Sequence, residues 1–299
     1  MLPALSICIP AYKADRFLGE TLASVYRQTF ADWELLIVED GSRDGTEDIV
    51  RQFAKTVTQS VRFIRHEVNK GLPATRNTAI EVAQAEWIVL LDSDDLWETT
   101  HLAELVATAR ANPKADLVHS GSVLFDSDTG RETEHRYPSP EVLKEFPRSL
   151  YEGRYIIQPA SVMLKRSLWE RAGRFDPAFR YVEDRDMWLR CARAGGIFAF
   201  TGRNTCRYRK HANALSTHSA AMAEADAAVF DKHLDWEAIP SELRRQRAAH
   251  GWAAAGKLRQ RGAPAVAQRH FRRACETDWR LEWWLRGQAC RMLSLLKPR

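Results

Sequence analysis

The chain has 299 residues and 34.2 kDa, enough for one large α/β domain with an appendage or for two ordinary domains. Apolar residues make up 45% and charged residues 28%, which excludes a disordered chain, a collagen-like repeat and a disulfide-stapled mini-protein. The net charge of +5 is unevenly spread, because residues 241–299 hold 14 Lys and Arg against 4 Asp and Glu, leaving the rest of the chain acidic. No apolar run approaches the ~18 residues of a spanning helix. The start, MLPALSICIP, lacks the basic and long apolar regions of a signal peptide. The five cysteines are odd in number and form no CxxC pair, so a reduced, cytoplasmic chain is expected.

In chain order, β-branched apolar runs at 5–12, 33–39, 61–65 and 87–91 alternate with helical periodicity at 16–28, 46–57 and 73–84. Continuous apolar runs suit strands covered on both faces, and the spacing suits βαβ units. The expected fold is α/β, a mostly parallel, Rossmann-like sheet flanked by helices. Such sheets bind ligands beyond the carboxyl ends of their strands. Polar clusters follow each run: Pro10-Ala11-Tyr12, then Glu39-Asp40-Gly41-Ser42, then Asn69-Lys70-Gly71 leading to Arg76, then Asp92-Ser93-Asp94-Asp95. Further on, 117–125 and 161–165 read as strands, and 126–152 as a long polar excursion of the kind that serves as a lid or binding loop. Glu183 and Asp184 open a helical stretch in which Asp186 and Arg190 stand in i,i+4 register. From about residue 219 the chain is rich in Ala and Arg and reads as helices, broken at Pro240 and at Gly262-Ala263-Pro264.

Hard oxygen ligands at 92–95 suit Mg2+ or Mn2+, which binds one or two carboxylates together with substrate phosphates. Arg76 could contact the same phosphate oxygens. Glu183-Asp184 offers a carboxylate in a base role, although helix capping alone explains acidic residues at a helix start. Neither GxGxxG nor GxxxxGK[ST] occurs, so dinucleotide and P-loop chemistry lose their usual warrant.

The stretches SICIPAYKADRFLGETLASVYRQTFADWELLIVEDGSRDGT, NKGLPATRNTAI, WIVLLDSDDLW, SVMLKRSLWERAGRFDPAF, YVEDRDMWLR and YRKHANALS together resemble the bacterial family 2 inverting glycosyltransferases of the GT-A fold. The resemblance spans roughly residues 5–216 and implies a GT-A domain over 1–216, followed by a helical C-terminal region over 217–299. It implies transfer of a sugar from a nucleotide-diphosphate donor, commonly UDP-linked, to a glycan or lipid-linked hydroxyl acceptor, with Mg2+ or Mn2+ as cofactor. On that resemblance Pro10, Ala11 and Tyr12 line the nucleobase pocket and Asp40 bonds the base. Arg76 contacts the diphosphate or helps hold the site, Asp92 faces ribose or sugar, and Asp94 is the metal carboxylate of the DxD motif. Asp184 is the base, Glu183 lies on the acceptor side, and His211 lies near the diphosphate or metal, with Arg209 and Ser216 in the same terminal motif. Two departures are Glu39, where the family more often has Asp or Asn, and Thr75, where Ala is usual. A catalytically inactive nucleotide-sugar-binding or scaffolding protein is the alternative, and no nucleic-acid partner is expected.

In the tail, Leu281, Trp284, Leu285, Ala289, Met292, Leu293 and Leu296 fall on one helical stripe, with Gln288 its only polar interruption, flanked by Arg280, Arg286, Arg291 and Lys297. Such a stripe over 279–299 suits a peripheral contact with the inner face of a membrane, or packing on the body of the protein. Ala267, Phe271 and Ala274 resemble half of a helical hairpin.

Overall fold

The computed structural model describes residues 2–296. Its first hundred residues form β1 (Leu5–Ala11), α1 (Leu18–Tyr26), β2 (Trp33–Glu39), α2 (Thr46–Phe53), β3 (Val61–Arg65), α3 (Leu72–Val82) and β4 (Trp87–Leu90). β1 pairs in parallel with β2 and β4, and β2 with β3. Every residue of β1 and β2 is buried, which is why both read as unbroken apolar runs. α1 covers this sheet with Leu18, Thr21, Leu22 and Val25, and each aliphatic chain so buried contributes about 1.5–3 kcal/mol at most.

The remaining elements of the first unit are β5 (Leu96–Trp97), α4 (His101–Ala111), β6 (Leu117–Asp126), β7 (Glu132–Arg136), α5 (Pro140–Lys144), α6 (Arg148–Glu152), β8 (Val162–Lys165), α7 (Arg166–Ala172), α8 (Glu183–Arg193) and β9 (Phe198–Lys210). They extend the sheet to nine strands in the order β3-β2-β1-β4-β8-β6-β9-β5, with β7 paired to β6. β8 is antiparallel to both β4 and β6, and β9 runs parallel to β6. The carboxyl ends of β4 and β9 therefore face the same rim. Residues 126–152 are not the open excursion expected from their polarity. They make the β6–β7 hairpin and then α5 and α6, with Ser149, Leu150 and Tyr151 buried.

The chain divides into two compact units, Met1–His211 and Ala212–Arg299. The second contains α9 (Ser219–Lys232), α10 (Ser241–Arg259), α11 (Pro264–Thr277) and α12 (Leu281–Leu296), with consecutive helices packed as neighbours. One core cluster in it is Ala249, Ala253, Ala267, Phe271, Ala274, Trp283 and Cys290. Pro264 occupies the first turn of α11, where its missing N–H costs nothing. Among the described residues no helix is long and apolar enough to cross a membrane.

Candidate active site

The register Ala11↔Glu39 and Cys8↔Leu90 brings Tyr12, Asp40 and Asp92 to one edge of the sheet, each just beyond a strand. Pro10 and Ala11 are buried within β1 and form a floor, while Tyr12 is half exposed with the Lys13 ammonium 5.4 Å from its ring centre. Asp40 is buried and tied to the chain between β3 and α3. Its Oδ1 accepts from Lys70 N–H at 2.9 Å and lies 2.7 Å from His66 Nδ1, and its Oδ2 accepts from Gly71 N–H at 2.8 Å. Burial raises this carboxyl, yet those bonds together hold it below the ordinary carboxylate range. One lone pair of Oδ2 remains for a further donor. Gly41, with φ of +79°, lies under the backbone of Val68 and Asn69, where an added Cβ would stand 3.0 Å from the Val68 carbonyl carbon.

The departures at Glu39 and Thr75 are both satisfied in place. Glu39 is buried, accepts from Ser42 and pairs with Arg65 Nε at 3.0 Å. Thr75 bonds back to the Gly71 carbonyl at 2.9 Å.

Arg76 is fully buried on α3, and its terminal nitrogens are taken by protein. Nη2 donates to Asp92 Oδ1 at 2.6 Å, and Nη1 donates to Glu183 Oε1. This guanidinium therefore joins the end of β4 to the start of α8. Holding the site is the role its geometry supports, rather than direct contact with a diphosphate. Glu183, expected on the acceptor side, is buried, and its Oε1 accepts from Arg76. Burial pushes its carboxyl up to about 7, with Arg76 pulling it down and neighbouring Asp184 and Asp92 pushing it further up. Asp184 is half-buried, and its Oδ1 accepts only from Arg185 N–H, at 2.8 Å, among the bonds it makes. Val182, directly before this pair, has φ of +51°, a left-handed conformation that β-branched residues rarely adopt. Such strain is concentrated at functional sites.

Asn77, which the sequence reading passed over, secures the same joint. It accepts from Phe175 N–H at 2.9 Å and donates to the Phe175 carbonyl at 2.8 Å, pinning the approach to α8 onto α3. Its place beside Arg76 was the only signal available.

On the other side of the rim, Asp94 Oδ2 lies 2.9 Å from His211 Nε2. The imidazole packs on Phe17 with ring centres 4.8 Å apart, and its Nδ1 is buried without a partner. Arg209 fastens this corner: it donates from its backbone to Asp95 Oδ1 at 2.8 Å, from Nε to the Asp94 carbonyl at 2.7 Å, and from Nη2 to Glu20 at 2.8 Å. Asp95 is buried, and its carboxyl is raised well above the usual range by burial and by Asp94 and Asp92. It shapes the turn and does not open onto the rim. Among the described residues no three His, Cys, Asp or Glu side chains converge closely enough to enclose a metal. Asp94 and His211 nevertheless form an adjacent oxygen–nitrogen pair, a donor set that suits Mg2+ or Mn2+ completed by phosphate oxygens.

Residues 6–172 match the model of glycosyl transferase family 2. The uncharacterized glycosyltransferase EpsJ of Bacillus subtilis is 30% identical over 223 residues, covering 72% of this chain and 64% of EpsJ, so the chain spans about two thirds of that relative. Staphylococcus aureus TarS 1–349, solved with UDP-GlcNAc, superposes with a TM-score of 0.66 at 16% identity, covering 97% of this chain and 79% of TarS 1–349. The mannosyltransferase PcManGT of Pyrobaculum calidifontis, solved with GDP-Man and Mn2+, superposes with a TM-score of 0.63 at 20% identity over 100% of this chain and 82% of its own.

Proposed function

The chain belongs to glycosyl transferase family 2, and from that premise and its GT-A fold we propose that it is an inverting glycosyltransferase, moving a sugar from a UDP-linked donor to a hydroxyl acceptor in the synthesis of a surface polysaccharide or lipid-linked glycan. The observation that carries this reading is the Arg76 bridge. One buried guanidinium ties Asp92, on the rim where a diphosphate would lie, to Glu183 beside the candidate base Asp184. Donor side and acceptor side are thereby set at a fixed separation, and alignment of two reactants is worth several kcal/mol of barrier.

In this reading the nucleobase lies against Tyr12 above the Pro10–Ala11 floor, and the remaining lone pair of Asp40 accepts an N–H of the base. Asp94 and His211 would hold Mg2+ or Mn2+, whose contribution when bound is to neutralise the diphosphate. Asp184 accepts the proton of the acceptor hydroxyl as its oxygen bonds to the anomeric carbon. The bond from that carbon to the diphosphate oxygen breaks on the opposite face, and its electron pair leaves with UDP. Attack and departure on opposite faces invert the centre. Among the described residues Asp184 Oδ1 accepts from Arg185 N–H, and Oδ2 is available to take that proton. Cytoplasmic placement follows, since nucleotide sugars are made there.

The test is UDP release from a panel of UDP-sugars with and without Mn2+. Turnover with one donor is expected. Asp184→Asn should lower transfer by about 10²–10⁴-fold while leaving UDP affinity within about twofold. Asp94→Ala should abolish the metal-dependent tightening of UDP binding seen by calorimetry. Binding of UDP-sugars with no turnover under any condition would favour a binding or scaffolding protein, and wild-type turnover in Asp184→Asn would remove Asp184 from the base role.

A further inference from the structure

α12 has two apolar faces. The inward face presents Trp283, Gly287 and Cys290 to Phe271 and the core of the helical unit. The opposite face carries Leu281, Trp284, Leu285, Met292, Leu293 and Leu295, with exposures of 46% at Trp284, 53% at Leu285, 66% at Met292 and 78% at Leu295. A helix at the surface of a globular protein normally turns polar residues outward. The stripe read from the sequence is thus the outer face, and the packing face is a second one that the stripe did not include. Lys297 and the side chain of Leu296, both counted with that stripe, lie outside the described residues.

The borders of the outer face are basic. Arg280 and Arg291 are exposed along one side and Arg286 stands on the other. The carboxylates nearby are already matched: Glu282 by Arg286 and Lys257, Asp278 by Arg280, and Glu276 by Arg272 and Arg273. Arg291 has no carboxylate partner among the described residues. We propose that this arginine-flanked apolar face of α12 docks in the interfacial layer of an anionic lipid bilayer, with the helix lying in the membrane plane. Three features match that occupant: an exposed apolar stripe about 21 Å long, interrupted only by Gln288 among the described residues, a tryptophan at its edge, and cations placed to meet lipid phosphates. A second copy of the chain fits less well, because a two-fold contact through this face would set arginines against arginines. The inference goes beyond sugar transfer and stands apart from it, since lipid binding requires neither donor nor acceptor.

Co-sedimentation of the full chain with vesicles tests it, using phosphatidylcholine alone and phosphatidylcholine containing phosphatidylglycerol. Binding is expected to the anionic vesicles and to weaken as salt shortens the Debye length. Trp284→Glu with Leu285→Glu should weaken binding by about tenfold for each side chain, since both are exposed and leave the core intact. Arg280→Ala and Arg291→Ala should each weaken it by about fivefold. Far-UV circular dichroism and the urea midpoint of each variant serve as the check on folding and should be unchanged. The proposal is overturned if the wild-type chain ignores anionic vesicles, if it binds neutral and anionic vesicles equally, or if the Trp284/Leu285 variant binds like the wild type. It is equally overturned if light scattering finds a dimer that the same variant splits while vesicles remain unbound, which would make the face a contact between copies.

Discussion

Arg76 sits among three carboxylates, Asp92, Glu183 and Asp184, each of which raises its affinity for its proton. A buried cation beside three acids is held by its bonds to Asp92 and Glu183, and breaking them is costly. Arg76→Met removes the cation and leaves buried Glu183 and partly buried Asp92 without their partner, and should cost about 3–5 kcal/mol in urea unfolding. Arg76→Lys keeps the charge but cannot fork to two partners. It should retain most of the stability yet lower transfer by about tenfold or more, through kcat rather than donor KM, because the spacing of the two sides is lost. Glu183 adds a pH dependence. Its carboxyl is raised in the fold, from an ordinary 4.5 to about 7, chiefly by burial. Between those values the fold holds a proton that the unfolded chain has released, so the contribution to stability is greatest below about 4.5 and is lost as pH rises through about 7. Glu183→Gln should flatten that decline in unfolding free energy measured from pH 4.5 to 7.5, and an unchanged slope would assign it to another group.

Among the elements, the helices of the second unit approach one another through small residues. An added Cβ on Gly251 of α10 would stand 3.0 Å from the Cα of Ala227 on α9. Gly251→Ala should therefore force the helices apart and cost about 1–3 kcal/mol despite its better helix propensity. Phe271 fills the space that two glycines leave: a Cβ added at Gly256 would stand 3.1 Å from its ring, and one added at Gly287 3.4 Å from its Cβ. Phe271→Ala should cost about 3–5 kcal/mol, since it removes a fully buried aromatic ring from a core made mostly of alanine. Urea midpoints of the full chain read both changes. The turns that open helices in the first unit were legible in advance for a local reason. Asp44 accepts from Thr46 N–H at 3.3 Å, two residues on, and Asp186 pairs with Arg190 at 2.7 Å one turn apart. Bonds within four residues are written in the sequence itself.

At the scale of the whole molecule, no disulfide constrains either unit: all five cysteines are free, and Cys275 alone is partly exposed. Burial pushes the Cys191 thiol up to about 12 and raises Cys8, Cys206 and Cys290 as well. Titration with a thiol reagent should label one cysteine in the native chain and all five after denaturation. Labelling of two or more before unfolding would mean that a buried site opens readily. Reductant should leave the melting temperature unchanged. The charge asymmetry belongs to this scale too. Its surplus of arginine falls in the helical unit, so ionic strength is expected to change lipid binding far more than UDP affinity.

The sequence by itself determined the parallel half of the sheet and the rim on which the polar clusters stand. The register of a βαβ unit follows from apolar runs and from residues close together in the chain, and β2 and β3 appear with the bounds read from it. It also determined the helical nature of the tail and its breaks at Pro240 and Pro264. β9 escaped, because its polar, arginine-rich alternation gains meaning only when β6 and β5 flank it. Residues 126–152 escaped likewise, since nothing local announces a hairpin that β6 must template. Which partner each site residue takes was decided by tertiary structure alone. Arg76 and Glu183 lie 107 residues apart, and Asp94 and His211 117. Only the assembled sheet, which brings the ends of β4 and β9 and the start of α8 to one edge, converts those separations into contact. The same holds for α12. Helical period revealed that an apolar stripe existed, but a helix with two apolar faces cannot show by period which one is buried, and it is the packing of Trp283 and Cys290 against α11 that turns the other outward.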